Sequence, residues 1–217
     1  MNTPPQQIAL AMTGASGAPY GLALLRALVD AGLRVHLMLS DSALRVLRYE
    51  VGLRLRRPAL APLLRAAGLP TTGRGRPRPG QVTLYPLRAV EAAPASGSAG
   101  IGAMVICPCS MGTLGRVAHG YSSNLIERAA DVALKEGRPL VLVPRETPLS
   151  AIHLENMLTL CRAGAVVLPA APGFYHRPAR VADLVQFVVG KVLDRLGIAH
   201  PWVRRWQTPD GHPGDEP

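Results

Sequence analysis

Short apolar runs alternate with longer amphipathic stretches along most of this chain. Runs of strand length lie at residues 8–12, 35–39, 103–108, 139–144 and 165–169. Helical periodicity predicts helices at residues 18–32, 41–50, 112–118, 123–136, 150–163 and 180–196. Strands this apolar are buried on both faces, and their alternation with helices is typical of parallel βαβ units. The pattern therefore predicts an α/β fold with a doubly wound parallel sheet in three layers.

Residues 52–100 interrupt this alternation. The segment is rich in Arg, Pro, Gly and Ala, and its one strand-like stretch is residues 81–87. We interpret it as a variable flap or insertion at the sheet edge rather than as a second domain. Residues 208–217 are polar and contain Pro and Gly, which predicts a disordered tail. We expect one domain over residues 1–207.

Composition and charge narrow the function classes. Apolar residues make up 48% of the chain, and no run of them approaches the roughly 18 residues of a membrane span. The N-terminal residues lack a signal-peptide pattern, so we expect a cytoplasmic protein. The net charge of +10 raises nucleic acid as a partner, but aromatic residues make up only 4%. Stacking platforms for single strands are therefore scarce, and we predict no nucleic-acid partner.

The three cysteines predict neither a disulfide framework nor a metal site. Two of them, Cys107 and Cys109, are separated by a single proline, which places them badly for bridging each other. No second Cys/His cluster completes a zinc site. We expect reduced thiols and no metal.

Glycines, hydroxyls and charged residues follow the predicted strands. They include TGASG (13–17), CSMGT (109–113), RET (145–147) and GFYH (173–176). Because ligands bind beyond the carboxyl ends of parallel strands near a switch point, these segments are expected to form one site. Single residues at helix ends, such as Glu50 and Lys135, are equally well explained by solvation or by the helix dipole.

The first glycine loop favours a mononucleotide over a dinucleotide. Ser16 stands where the fingerprint G-x-G-x-x-G requires its second glycine, and the second strand closes on Ser40 with Asp41 one place late. Two hydroxyl-rich loops, at Ser16 and at Ser110 and Thr113, suit a single terminal phosphate such as that of FMN.

Five motifs together resemble those of the UbiX-type flavin prenyltransferases. They are TGASGAPYG (13–21), VICPCSMGTL (105–114), NLIERAADVALKEGRPLVLVPRETPL (124–149), HLENM (153–157) and GAVVLPAAPGFYHRP (164–178). The resemblance implies a Rossmann or flavodoxin-like fold and an enzyme that joins the dimethylallyl group of dimethylallyl monophosphate to N5 and C6 of reduced FMN. It also implies a metal-independent homo-oligomer, commonly a dodecamer, whose prenylated FMN serves UbiD-type decarboxylases.

The same resemblance assigns roles to individual residues. Those matching FMN contacts are Gly14, Ala15, Ser16, Ser40, Ser110, Met111, Gly112, Thr113 and Arg145. Those matching the prenyl-phosphate site are Tyr175, Lys191, Arg128 and Lys135. The catalytic candidates are Ser16, Glu50, Lys135 and Glu146, with Glu146 or Glu50 expected to transfer a proton.

Two positions depart from the family pattern, and a third, near the C-terminus, matches it. Val90 stands where some members have a tryptophan that covers the prenyl group, and Lys191 stands where arginine is frequent. Trp206 matches a C-terminal tryptophan.

Two alternatives remain open at this stage. One is an FMN-dependent cysteine decarboxylase-like flavoprotein, although its active-site histidine pattern is missing after the second strand. The other is a non-catalytic flavin-binding protein, against which the number of phosphate-binding cations argues.

Overall fold

The computed structural model describes residues 4–202 and confirms the predicted α/β fold. The strands are β1 (Gln7–Met12), β2 (Arg34–Leu39), β3 (Val82–Tyr85), β4 (Ala103–Cys109), β5 (Leu140–Pro144) and β6 (Val166–Val167). The helices are α1 (Ala18–Asp30), α2 (Asp41–Val51), α3 (Leu60–Ala66), α4 (Met111–Ala118), α5 (Leu125–Lys135), α6 (Ala151–Arg162) and α7 (Val181–Arg195). The predicted tail at 208–217 and Trp206 lie outside the described residues.

All six described strands are parallel and follow the order β3-β2-β1-β4-β5-β6. The chain starts in the middle of the sheet, builds one half outward through β2 and β3, and then returns to add β4 beside β1. The order of the strands therefore reverses between β1 and β4. In doubly wound sheets, this switch point opens a crevice at the carboxyl ends of the strands, where ligands bind.

Two hydrophobic clusters separate the three layers. Alternate residues of β1 point to opposite faces, because side chains in a strand alternate with a period of two. Ile8 and Leu10 join the cluster that buries α1, α2, α3 and α7. Ala9 and Ala11 join the cluster that buries α4, α5 and α6. The small side chains of this second face let these helices pack close to the centre of the sheet.

The flap region contains more regular structure than the sequence predicted. The helix α3 was missed because Pro62 reads as a helix breaker, yet it lies in the first turn, where a missing N–H costs nothing. The strand β3 pairs with β2 at the sheet edge and ends at Tyr85, before Pro86. Val90 lies further along the flap and is about half exposed.

Candidate active site

The loop between β1 and α1 needs two of its glycines for backbone reasons. Gly17 has φ of 120°, a left-handed conformation that side chains disfavour, and it caps the N-terminus of α1. A Cβ atom on Gly14 would lie 2.6 Å from the Cβ of Ser42, so only glycine lets α2 approach the loop this closely. The loop is thus shaped by its contact with α2 as well as by the turn itself.

A carboxylate of the protein occupies the N-terminus of α1. Glu50 comes from the last turn of α2, and its two oxygens accept hydrogen bonds from Gly17 N at 3.1 and 2.9 Å. Its Oε2 also accepts from Ala18 N at 2.8 Å. A negative charge is favourable at this end of a helix, where the N–H groups are unpaired. These N–H groups are the ones that bind the pyrophosphate of a dinucleotide, so Glu50 agrees with the sequence in disfavouring that ligand.

Arg145 reaches the same loop from the end of β5. Its Nε donates to the carbonyl oxygen of Ser16 at 3.4 Å, and the residue is half-buried. The next residue, Glu146, is exposed, and its Oε1 accepts from Thr147 N at 3.1 Å. The structure therefore brings Ser16, Glu50 and Arg145 to one loop, while the Glu146 carboxylate bonds to its own backbone turn.

Two serines that were expected to contact FMN also cap helices. Ser40 accepts a hydrogen bond from Ala43 N at 3.1 Å and begins α2. Ser110 accepts from Thr113 N at 3.4 Å and begins α4, and its hydroxyl donates to Thr113 Oγ1 at 3.1 Å. Met111 and Gly112 lie in the first turn of α4. Backbone N–H groups in the first turn of a helix can bind an anion.

An ion pair between a buried carboxylate and a half-exposed arginine lies beside this second loop and was not predicted from the sequence. Glu127 is 1% exposed, and it bonds to Arg116 Nε, to Ser123 N at 3.0 Å and to Ser123 Oγ at 2.5 Å. Burial raises the pKa of Glu127, but the hydrogen bonds from Ser123 and Arg116 outweigh it and hold the pKa below its ordinary value. The available signal was Asn124, a typical N-cap with Glu127 three residues later.

Tyr175 and Lys191 gather around one aromatic ring that the sequence did not single out. The ring of Tyr175 meets Phe187 edge-on with centroids 5.6 Å apart, and Lys191 Nζ lies 5.6 Å from the centre of the same ring. His176 stacks on Phe187 at 5.2 Å. Phe187 and Lys191 are one helical turn apart on α7, which is why they share a face.

Arg128 and Lys135 lie on α5, and the single chain does not bring Lys135 to the site. Arg128 Nη1 bonds to Asp131 Oδ2 at 2.7 Å in the first turns of the helix. Lys135 ends α5 and pairs with Glu136. Since β5 follows directly and parallel strands all start at one edge, Lys135 lies at the edge opposite the glycine loop.

The cysteines are free, as expected. Burial raises the pKa of Cys107 far above its ordinary range and that of Cys109 to about 12, so both are neutral thiols. Within residues 4–202, no cluster of three His, Cys, Asp or Glu side chains could hold a metal ion. No helix in the described part of the chain is long and apolar enough to cross a membrane.

Sequence comparison relates the chain to flavin-binding proteins. A model of the flavoprotein family matches residues 1–193. The flavin prenyltransferase UbiX of Pseudomonas aeruginosa is 54% identical over 202 residues, which cover 93% of this chain and 94% of that protein. The flavin prenyltransferase UbiX of Methanothermobacter thermautotrophicus is 45% identical and covers 94% of this chain and 97% of its own.

Solved structures give the same result. A UbiX protein in complex with FMN and dimethylallyl pyrophosphate superimposes with a TM-score of 0.80 at 36% identity, over 94% of this chain and 98% of that one. A dodecameric FMN-dependent UbiX-like decarboxylase from Escherichia coli O157:H7 gives 0.78 at 41% identity, over 93% and 100%. The cysteine decarboxylase TvaF gives 0.57 at only 19% identity over 88% and 98%, which shows a shared fold alone.

Proposed function

The chain belongs to the UbiX-type flavin prenyltransferases of the flavoprotein family, and on this basis we propose the reaction it catalyses. It transfers the dimethylallyl group of a dimethylallyl phosphate to FMN. In the finer form that the resemblance implies, the group is joined to N5 and C6 of reduced FMN. Two observations together support the proposal. The chain is 54% identical to such an enzyme, and its polar loops meet at the β1–β4 switch point.

The residues at this crevice fit FMN. Thr113 is 5% exposed and faces the switch point with Ser110 from the start of α4, where a helix N-terminus favours a terminal phosphate. Gly14, Ala15 and Ser16 form the opposite wall, and Arg145 binds the backbone of Ser16. When bound, reduced FMN supplies the nucleophilic ring atoms that accept the prenyl group. The chain itself supplies the walls that orient the flavin.

The basic and phenolic side chains suit the other substrate. Departure of phosphate from an allylic carbon builds negative charge on the leaving group, and preorganised cations stabilise that charge. Arg145, Lys191 and Tyr175 are our candidates, and Arg128 is a further one that the resemblance assigns to this substrate. Lys191 is half-buried and held over the Phe187 ring, so its ammonium acts as a positioned point charge rather than as a bidentate fork.

We assign proton transfer to Glu50 or Glu146. The Glu50 carboxylate accepts hydrogen bonds from Gly17 N and Ala18 N, the two residues that follow Ser16, and these bonds hold it near Ser16. Glu146 follows Arg145 and is free to turn toward the crevice because it is exposed. An arrangement in which one carboxylate is fixed and the other exposed suits one structural and one catalytic role.

Lys135 requires a second copy of the chain if it takes part in the reaction. It lies at the amino edge of the sheet, whereas the glycine loop lies at the carboxyl edge. We propose that a neighbouring subunit of a dodecamer supplies it. The oligomeric relative from Escherichia coli supports this assembly.

We further propose a cytoplasmic location and transfer of the product to a UbiD-type decarboxylase. Exposed Cys161 and buried Cys107 and Cys109 are all free, as in a reducing compartment. The product is a modified flavin, and the family resemblance implies a UbiD-type decarboxylase as the enzyme that uses it.

One incubation tests the reaction. The protein is mixed anaerobically with reduced FMN and either dimethylallyl monophosphate or the pyrophosphate, and the flavin is analysed by mass spectrometry. A flavin carrying one added prenyl unit is expected in at least one arm. Bound but unmodified FMN in both arms would contradict the proposal, and decarboxylation of a cysteine peptide in a parallel arm would favour the decarboxylase alternative.

A further inference from the structure

A side chain joins β1 to β4 at the point where their regular pairing stops. The ladder between these strands ends at Ala11 and Ile106. Just beyond it, between Ile106 and Cys109, β4 also shifts its register against β5. Pro108 has no N–H to contribute there. Beyond that point Thr13 takes over, because its N and its Oγ1 each donate to Pro108 O at 3.0 Å. Its Oγ1 also accepts from Ser110 N at 2.7 Å.

The Thr13 hydroxyl has no proton left to donate to an anionic ligand. The residue is 1% exposed, its proton is donated to Pro108 O, and the lone pair facing α4 accepts from Ser110 N. A group this buried, whose proton is already donated, acts on the site through its partners. Those partners belong to the loop opposite the glycine loop, so Thr13 fixes the spacing of the two loops across the switch point.

The hydrogen-bond directions then single out Thr113 as the donor that faces the crevice. The Ser110 hydroxyl accepts from Thr113 N and gives its proton to Thr113 Oγ1. Arg116 Nη2 also donates to Thr113 Oγ1, at 3.5 Å. A hydroxyl has one proton and two acceptor positions, so both acceptor positions of Thr113 are filled. Its proton has no acceptor among the described residues and is left for a ligand.

We propose that Thr13 is a positioning residue for FMN: it holds Ser110 so that Thr113 donates its hydroxyl proton to the flavin phosphate. The proposal rests on the flavin-binding function given above. The sequence predicted that the Ser110 hydroxyl contacts the phosphate. In this proposal it orients Thr113 instead. The ligand group concerned is a phosphate monoester, because a donor at the N-terminus of α4 suits a dianion.

Paired titrations with oxidised FMN and with riboflavin test this role. Riboflavin has the same ring but lacks the phosphate, so it reports on general damage to the site. Thr13→Val keeps the shape and removes the hydroxyl, and it is expected to raise the Kd for FMN by about tenfold or more while changing that for riboflavin by less than about twofold. Thr13→Ser restores the hydroxyl and is expected to restore FMN binding.

Two further variants complete the design. Thr113→Val is expected to lose FMN binding selectively. The double variant Thr13→Val/Thr113→Val is expected to bind FMN no more weakly than either single variant, because both substitutions remove the same hydrogen bond to the phosphate. Thr159→Val is the matched control, since its hydroxyl donates to Glu155 O on α6. It is expected to bind both flavins as the parent chain does.

Several results would overturn the proposal. They are an equal loss of FMN and riboflavin in Thr13→Val, an unchanged Kd for FMN in that variant, or additive effects in the double variant. If Thr13→Val does not fold, Thr113→Val still decides, because selective loss of FMN is required of it. A parent chain that prefers FMN to riboflavin but makes no prenylated flavin would refute the proposed reaction and leave this positioning role intact.

Discussion

The carboxylate of Glu50 and the backbone N–H of Gly17 are bonded at 2.9 and 3.1 Å, so the end of α2 is fastened to the start of α1. This contact joins two crossover helices that lie on the same face of the sheet. It also means that the glycine loop is held by its neighbours before any ligand arrives.

Replacing Glu50 with Ala is expected to destabilise the fold by about 1 kcal/mol, because α1 loses the acceptor for two N–H groups at its N-terminus. Glu50→Gln keeps one acceptor oxygen and is expected to lose less. The free energy of unfolding from urea titration measures both. A loss in Glu50→Gln as large as that in Glu50→Ala would show that charge alone, and not the hydrogen bonds, holds the contact.

The buried carboxylate of Glu127 is expected to make the fold acid-sensitive. Its pKa is lowered in the folded state, so its contribution is present above the ordinary glutamate value of 4.5 and is lost as the pH falls below it toward the lowered pKa. Glu127→Gln removes this contribution. Unfolding free energies at neutral pH and near pH 4 are therefore expected to differ less in the variant than in the parent chain.

Asp30→Asn is the control for that experiment. Asp30 also pairs with an arginine, Arg26, at 3.4 Å, but both side chains are more than half exposed. Such surface pairs contribute little, so this variant is expected to keep the acid sensitivity of the parent chain. A Glu127→Gln variant with the same pH dependence as Asp30→Asn would contradict the assignment.

Lys191→Ala is expected to raise the KM for the dimethylallyl phosphate by about tenfold while leaving the Kd for FMN unchanged, because only the prenyl substrate needs this cation. Lys191→Arg keeps the charge over Phe187 and is expected to retain activity. Steady-state kinetics measure the KM for the dimethylallyl phosphate, and a binding titration measures the Kd for FMN. Arg195→Ala, one turn further along α7, serves as the control, and an equal rise of KM there would show a nonspecific effect of charge.

Mixed oligomers test whether Lys135 acts across subunits. Neither Lys135→Ala nor Ser16→Ala is expected to be active alone. When the two variants are co-expressed, some sites combine an intact Ser16 from one chain with an intact Lys135 from another, and about a quarter of the activity returns for random mixing. Absence of any recovery in verified mixed oligomers would show that both residues act within one chain.

The sequence predicted the central strands and most helices because their signals are local. Buried parallel strands read as apolar runs, and α1, α4 and α6 follow them with helical periodicity. Short stretches rich in glycine and hydroxyls after those runs predicted the glycine loop and the Ser110 loop. There are two exceptions: α3, whose Pro62 reads as a helix breaker, and β6, which is two residues long where a run of five was predicted.

Contacts between distant elements could not be predicted in the same way. The Thr13–Ser110 bond spans almost half of the chain, and Phe187 is an ordinary apolar residue of α7 until Tyr175 is packed against it. The sequence grouped Lys135 with the site because it occurs in a matching motif. Only the direction of α5 shows that one copy of the chain cannot place it there.

That direction of α5 has a kinetic consequence. If the site takes Lys135 from another copy, as proposed, it exists only while the copies stay together, and the specific activity of the enzyme then depends on its own concentration. In that arrangement, dilution below the assembly threshold is expected to inactivate every site at once. A newly synthesised chain would then form no reactive allylic fragment before it has joined its neighbours.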